Sequence, residues 1–293
     1  MSESTLIIQI VSGLSLAAVL FIVSSGMTLI FGTMRVINMT HGSFYMFGAY
    51  LLALTFTHFD HRILSFALAL LLSALAVAVL GIIIEFVVLR RLYAGEHLLQ
   101  LLATWALMLI FEEVALDVWG SATVTPPSPV EISSTFTLGG ANVPTFDIFL
   151  VIVAALIFLG LWLFTNRMGI GRLLRAAVED HELLTTLGVN VRRLYTVAFA
   201  IGAGLAALGG AAIAPQISVG PGIDLSILVE SFVVAVVGGL GSINGAVLGA
   251  LIIGLAQTFG STYLPNMSEA AIYIVMVVVL IIRPRGLLGR EEF

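Results

Sequence analysis

Long apolar runs separated by short polar breaks dominate this chain, and the thickness of a bilayer sets the ruler for dividing it. A hydrocarbon core of about 30 Å needs ~20 apolar residues at 1.5 Å each, which predicts roughly eight helical segments. They fall near 6–31, 36–57, 63–89, 98–118, 145–165, 194–218, a glycine-broken stretch 226–262, and 268–283. Helices are required because lipid offers no partner to an open backbone group. One stretch departs from the pattern, Gly169–Arg193, GIGRLLRAAVEDHELLTTLGVNVRR. At helical spacing Leu173, Leu174, Ala177, Leu183, Leu184 and Leu187 share a stripe, with Arg172, Arg175, Glu179, Asp180 and Glu182 elsewhere. This predicts an amphipathic helix lying outside the hydrocarbon, stopped by Gly188. The pattern leaves open whether its apolar face rests on headgroups or on another protein.

Composition strengthens the membrane reading. The chain is 60% hydrophobic and 10% charged, with mean hydropathy +1.14, against roughly 45–50% apolar residues in a soluble domain. The expected fold is an all-α polytopic helical bundle, one domain over 1–293. The absence of cysteine excludes disulfides, thiolate metal sites and cysteine nucleophiles. All twelve basic residues are arginine, which removes Schiff-base chemistry and the P-loop lysine. If ATP drives this protein, another chain must bind it. The first ten residues lack the basic region of a cleavable signal and are expected to be retained. A net charge of −5 gives no reason to expect a nucleic-acid partner.

The arginines orient the bundle. Arg90, Arg91, the group from Arg167 to Arg193, and Arg283, Arg285 and Arg290 belong on the cytoplasmic side, where short loops carry the arginine excess. The loop 120–144 holds no arginine and lies outside; Arg62 is the exception. From the outer turn near Gly220–Asp224 to Arg283 the chain must cross an odd number of times. A re-entrant pair over 226–262, broken at Gly238-Gly239-Leu240-Gly241-Ser242, satisfies that count. The N-terminus then lies outside and Arg35 inside. The breaks at 32–43 and 238–246 also look alike, and broken helices in corresponding halves mark transport sites near the midplane.

Polar groups inside apolar segments are few. Asn38, His41, Glu85, Glu112, Glu113, Glu230 and Asn244 are candidates for a polar path, since charge in hydrocarbon costs ~2.5–3.5 kcal/mol and such residues face the bundle interior or water. Glu85 can instead pair with Arg90 or Arg91 near headgroups. Gly42, Gly238, Gly239, Gly241, Gly245 and Gly249 are read as helix-break or packing positions, with Gly-x-x-x-Gly spacing at 241/245 and 245/249. His58, Asp60 and His61 in one short turn are read as solvated, and no metal site is expected. No HExxH or GxSxG motif recommends a catalytic residue.

Four blocks in order carry a resemblance: GMTLIFGTMRVINMTHGSFYMFGAY at 26–50, RAAVEDHE with LGVN in the central stretch, FVVAVVGGLGSINGAVLGALIIG at 232–254, and RPRGLLG at 283–289. Together they resemble the H-type permease subunit of the branched-chain amino-acid ABC importer family. The resemblance implies that the central segment, with Arg172, Arg175, Ala176, Ala177, Glu179, Asp180, Leu187 and Gly188, couples the permease to an ATPase. It also implies two ATPase subunits holding ATP and Mg, a second similar permease subunit, and an extracytoplasmic solute-binding protein, which the outer loop could dock. The setting would be the inner membrane of a bacterial or archaeal cell. Ser43 stands where that family often has an acid, Asn244 where a proline is common, and Glu112–Glu113 where amides are usual, which leaves the solute open. An ion-coupled secondary transporter is the competing class.

Overall fold

The structure is a computed structural model that describes residues 3–93, 95–179, 181–263 and 265–289. Its axis is α1 (Glu3–Met34), 32 residues long, or about 48 Å at 1.5 Å per residue. A helix apolar on every side belongs inside a bundle. Accordingly α1 is packed by α6 (Thr145–Arg167), α9 (Val191–Ile213), α10 (Ile223–Gly238) and α11 (Ile243–Tyr263).

The two ends of the bundle differ. At one, Ile7 touches the turn of a small antiparallel hairpin, β1 (Thr135–Leu138) and β2 (Ala141–Pro144). Nearby, Ser15 donates to Asp147 at 3.2 Å and Gln216 donates to the same carboxylate at 2.8 Å, tying α1, α6 and the end of α9 together. At the other end, Gly32 lies against Gly241. There α1 ends at Arg35, α6 at Arg167, α9 begins beside Arg192 and Arg193, and α12 (Ser268–Ile282) ends at Arg283. Among the described arginines only Arg62 lies at the hairpin end, and Arg290 falls outside the described residues. The N-terminus therefore sits at the end opposite the arginines, as orientation by charge predicts.

α3 (Ile63–Ile84) starts at the hairpin end, where the Glu131 carboxylate accepts its Ile63 amide at 2.9 Å. It continues through a π turn (Glu85–Leu89) and α4 (Arg90–Leu92). α5 (His97–Trp119) returns the chain to the hairpin end. Among the described residues five helices are long and apolar enough to cross a bilayer: Glu3–Met34, Ile63–Leu92, Thr145–Arg167, Val191–Gln216 and Ile243–Tyr263. The all-α bundle is as expected, but the count of eight is not reached by that measure. α2 (Thr40–Phe56) has 17 residues, α10 has 16 and α12 has 15.

The re-entrant pair is corrected. α11 lies antiparallel to α1 over most of its length, with Gly241 beside Gly32, Gly254 beside Ala17 and Leu255 beside Gly13. It is a full crossing. With α10 and α12 it makes three passes after α9, which meets the odd parity without re-entry. The 239–242 break is a turn at the arginine-rich end, where Gly239 (φ +106°) and Gly241 (φ +83°) adopt backbone that L side chains rarely take. Gly238 and Gly245 face each other across it, and Gly249 packs on the Val234 carbonyl, so these glycines serve close helix approach. The tail block closes the same turn. Leu287 and Leu288 amides donate to the Val237 and Gly238 carbonyls, both at 2.9 Å, satisfying groups that the end of α10 would leave open.

In the hairpin-end turn, His58 Nδ1 bonds the Leu54 carbonyl at 2.7 Å and the His61 ring packs on Phe56. Among the described residues no three potential metal ligands gather.

Candidate functional site

Two places concentrate polar groups that the bundle alone does not account for. The first lies within the bundle. After α1 ends, residues 35–39 leave helical geometry and run back alongside it, starting from Arg35 at φ +53°. His41 Nε2 then meets the Val23 carbonyl at 2.9 Å, eleven residues before the end of α1, about 16 Å back from it. So α2 begins inside the bundle, not at its surface. The Asn38 side-chain oxygen accepts the Thr40 amide at 3.1 Å and fixes that start.

The second half of the chain does the same in reverse. α9 runs from the arginine-rich end to the hairpin end, where Val219 bridges to Val124. Residues 220–222 turn inward through Gly222 (φ +86°), and α10 begins with Asp224 in its first turn. Gly42 packs directly on the Asp224 carbonyl, and a Cβ added there would also come within 3.1 Å of Leu228 Cβ. α2 heads for the hairpin end and α10 for the arginine-rich end, so two half-length helices start side by side and diverge. The expected pair of breaks was 32–43 with 238–246. The true counterpart of 35–39 is 217–222.

Around this junction lie buried polar atoms without partners. Asp224 is 0% exposed, His41 0%, Ser43 0% and Asn38 3%. Neither Asp224 carboxylate oxygen has a hydrogen-bond partner of good geometry, and the same holds for Ser43 Oγ, His41 Nδ1 and Asn38 Nδ2. The Ser43 hydroxyl and the first backbone amides of α10 are the nearest donors to that carboxylate. Both helix starts aim the positive ends of their dipoles here.

The structure thus unites Asn38 and His41 with Ser43 and with Asp224, which sequence reasoning placed in an outer turn. A signal was present: the apolar run 226–238 is too short to cross when it starts at the surface, so Pro221–Asp224 had to lie deeper. Other expected path residues are elsewhere. Glu112 is half-buried and Glu113 exposed on α5. Asn244 is exposed in the first turn of α11 at the arginine-rich end. Glu230 is half-buried on α10 and accepts from Gln257 at 3.3 Å. Glu85 forms no path but a buried anchor: it takes Arg90 at 3.1 Å, Tyr93 Oη at 2.8 Å and Thr196 Oγ1 at 2.8 Å. Burial and that bond to Glu85 raise the Tyr93 phenol well above its ordinary range, so it stays a donor.

The second place is the arginine-rich end. The amphipathic stretch folds as α7 (Gly169–Glu179) and α8 (His181–Thr186). Its stripe divides. Leu174, Ala177 and Leu184 bury against Leu29 of α1 and Leu194 and Ala198 of α9, with Leu173 and Ala176 partly covered. Leu183 and Leu187 are 56% and 69% exposed. Arg172 is exposed, while Arg175 donates to Asn166 at 3.0 Å. Gly188, at φ +80°, ends α8 as predicted: its amide donates to Thr185 and the Val189 amide to Leu184, each at 3.0 Å. Asp180 and the side chains of Glu179 and Glu182 lie outside the described residues.

A helical bundle with two opposed half-helices meeting within it, and an arginine-rich amphipathic segment at one end, defines a multi-pass membrane transport protein. Residues 9–282 match the family model for the permease component of branched-chain amino acid transport systems, and the chain belongs to that family. It is 30% identical to the high-affinity branched-chain amino acid transport system permease protein BraD of Pseudomonas aeruginosa, over 97% of this chain and 96% of that one. It is 30% identical to LivH of Escherichia coli K12, again over 97% and 96%. LivM of the same organism, also named a high-affinity branched-chain amino acid transport system permease protein, is 27% identical, over 94% of this chain and 68% of its own. No solved structure matches.

Proposed function

We propose that this chain is the membrane-embedded permease of an ABC importer in a bacterial or archaeal inner membrane, forming half of the path for branched-chain or related amino acids. The full-length match to branched-chain amino-acid permeases supports this reading most. ATP and Mg are held by two partner ATPase subunits, and a solute-binding protein delivers the amino acid to the hairpin end. A second, similar permease completes the path, as the likeness to both LivH and LivM suggests.

The coupling element is α7–α8. Half of its apolar stripe grips α1 and α9, so the segment moves with the bundle. The other half, Leu183 and Leu187, is offered to a partner. Burying an exposed leucine contributes about 1.5–3 kcal/mol, so these two can seat an ATPase groove. Arg172, Arg175, Ala176, Ala177, Glu179, Asp180 and Gly188 complete it. Motion there reaches the half-helix junction through α1 and α9.

One observation favours the competing class. Asp224 is a deep carboxylate of the kind an ion-coupled transporter uses. Reconstitution separates the two. With the partner subunits and leucine-loaded binding protein in proteoliposomes, leucine uptake should require ATP on the cytoplasmic side and survive ionophores. Uptake by this chain alone, driven by an ion gradient, would overturn the proposal.

A further inference from the structure

We propose that Asp224 is the group that receives the α-ammonium of the transported amino acid, at the junction where α2 and α10 begin. The inference rests on the permease reading above and adds the recognition chemistry.

The junction is built for a small zwitterion. Asp224 is wholly buried, and both its oxygens lack a partner of good geometry. A charged group in hydrocarbon surroundings is retained when it pairs or serves a ligand. Among the described residues no arginine forms an ion pair with it. The ammonium of an amino acid supplies the missing charge. Facing it across the same junction, the start of α2 presents a dipole of the opposite sense to a carboxylate, with Asn38 Nδ2 buried and unpartnered and Ser43 Oγ beside Asp224. His41 donates through Nε2 to the Val23 carbonyl, which leaves Nδ1 of the neutral ring an acceptor and no donor to an anion. The unpartnered anion donor, Asn38 Nδ2, therefore lies just before α2, and the cation acceptor lies on α10. Two open, apolar-lined hollows of about 220 and 250 Å³ lie elsewhere. Gly42 closes the junction against the Asp224 carbonyl, so α2 and α10 must part for the solute to enter.

The test uses the reconstituted complex with loaded binding protein and radiolabelled leucine. Wild-type uptake that is absent or independent of ATP would sink the permease reading itself, whatever Asp224 does. Given ATP-driven wild-type uptake, Asp224→Asn should lower it at least tenfold while binding-protein-stimulated ATPase stays within about twofold. Asp224 makes no ion pair and no hydrogen bond of good geometry, and Asn keeps an acceptor for Ser43 and the α10 amides, so the Asn complex should keep its melting temperature. A merely structural acid would instead lower it. Ser43→Glu combined with Asp224→Ser returns one carboxylate to the junction from the α2 side, and should recover at least a third of the wild-type rate.

Uptake by Asp224→Asn at the wild-type rate would overturn the proposal. So would a double variant that assembles but fails to recover uptake, or loss in Asp224→Asn of a sodium or proton dependence alone. If Asp224→Asn fails to assemble, it has acted as a structural residue and the proposal is wrong.

Discussion

Gly42 has no room for a side chain, and its missing Cβ is what lets the two half-helices approach so closely. A Cβ there would strike the Asp224 carbonyl and press on Leu228. Overpacking of this kind costs about 1–3 kcal/mol, so Gly42→Ala should lower the melting temperature of the purified complex by several degrees. Glu85 is a second point of leverage. It is 0% exposed and its partner Arg90 is 26% exposed. Removing one member of a buried pair strands the other, so Arg90→Ala should destabilise by about 2 kcal/mol, less than for a fully dry pair. Arg90→Lys keeps the charge but not the fork that also reaches Thr196 at 2.7 Å, and should recover only part of the loss. Thermal unfolding of the three proteins in one detergent measures both. The charge pattern already allowed Glu85 to pair with Arg90. Asp224 escaped notice because its neighbours Pro221 and Gly222 read as surface turn residues, and only depth reveals it as buried.

Among the elements, α7–α8 was the most legible in sequence. Its 3.6-residue stripe and its stop at Gly188 appear in the structure where expected. What periodicity could not tell was which part of the stripe faces inward. Leu174 is 2% exposed and Leu187 69%. Leu174→Asp should therefore prevent stable folding, whereas Leu187→Arg should yield a folded chain that recruits its ATPase poorly. The chain has no cysteine, so a single Leu187→Cys offers a unique handle for crosslinking to the ATPase. A crosslink from that position but not from a cysteine placed at exposed Leu138 is the expected outcome. The half-helices were less legible. Glycine density drew attention to 238–246, but there it serves a turn and close packing. The working break at 217–222 holds only Gly220 and Gly222, and a ruler based on full crossings has no place for helices of 16 and 17 residues.

At the scale of the whole molecule, functions are separated along the long axis. On the proposed reading, solute chemistry belongs to the junction of α2 and α10 and coupling to the arginine-rich end, and α1 and α9 pack against elements at both. The bundle, and the gathering of the described arginines other than Arg62 at one end, followed from hydropathy and arginine placement, because lipid permits so few backbone arrangements. The number of full crossings did not, because paired half-helices take the place of some. The division of labour is tested most directly by comparing Asp224→Asn with Leu187→Arg in one reconstituted system, recording leucine uptake and binding-protein-stimulated ATPase together. Asp224→Asn should lose uptake and keep stimulated hydrolysis, while Leu187→Arg should lose both with the melting temperature of the permease unchanged. Full uptake in the Leu187→Arg complex, or loss of stimulated hydrolysis in Asp224→Asn equal to its loss of uptake, would contradict the account.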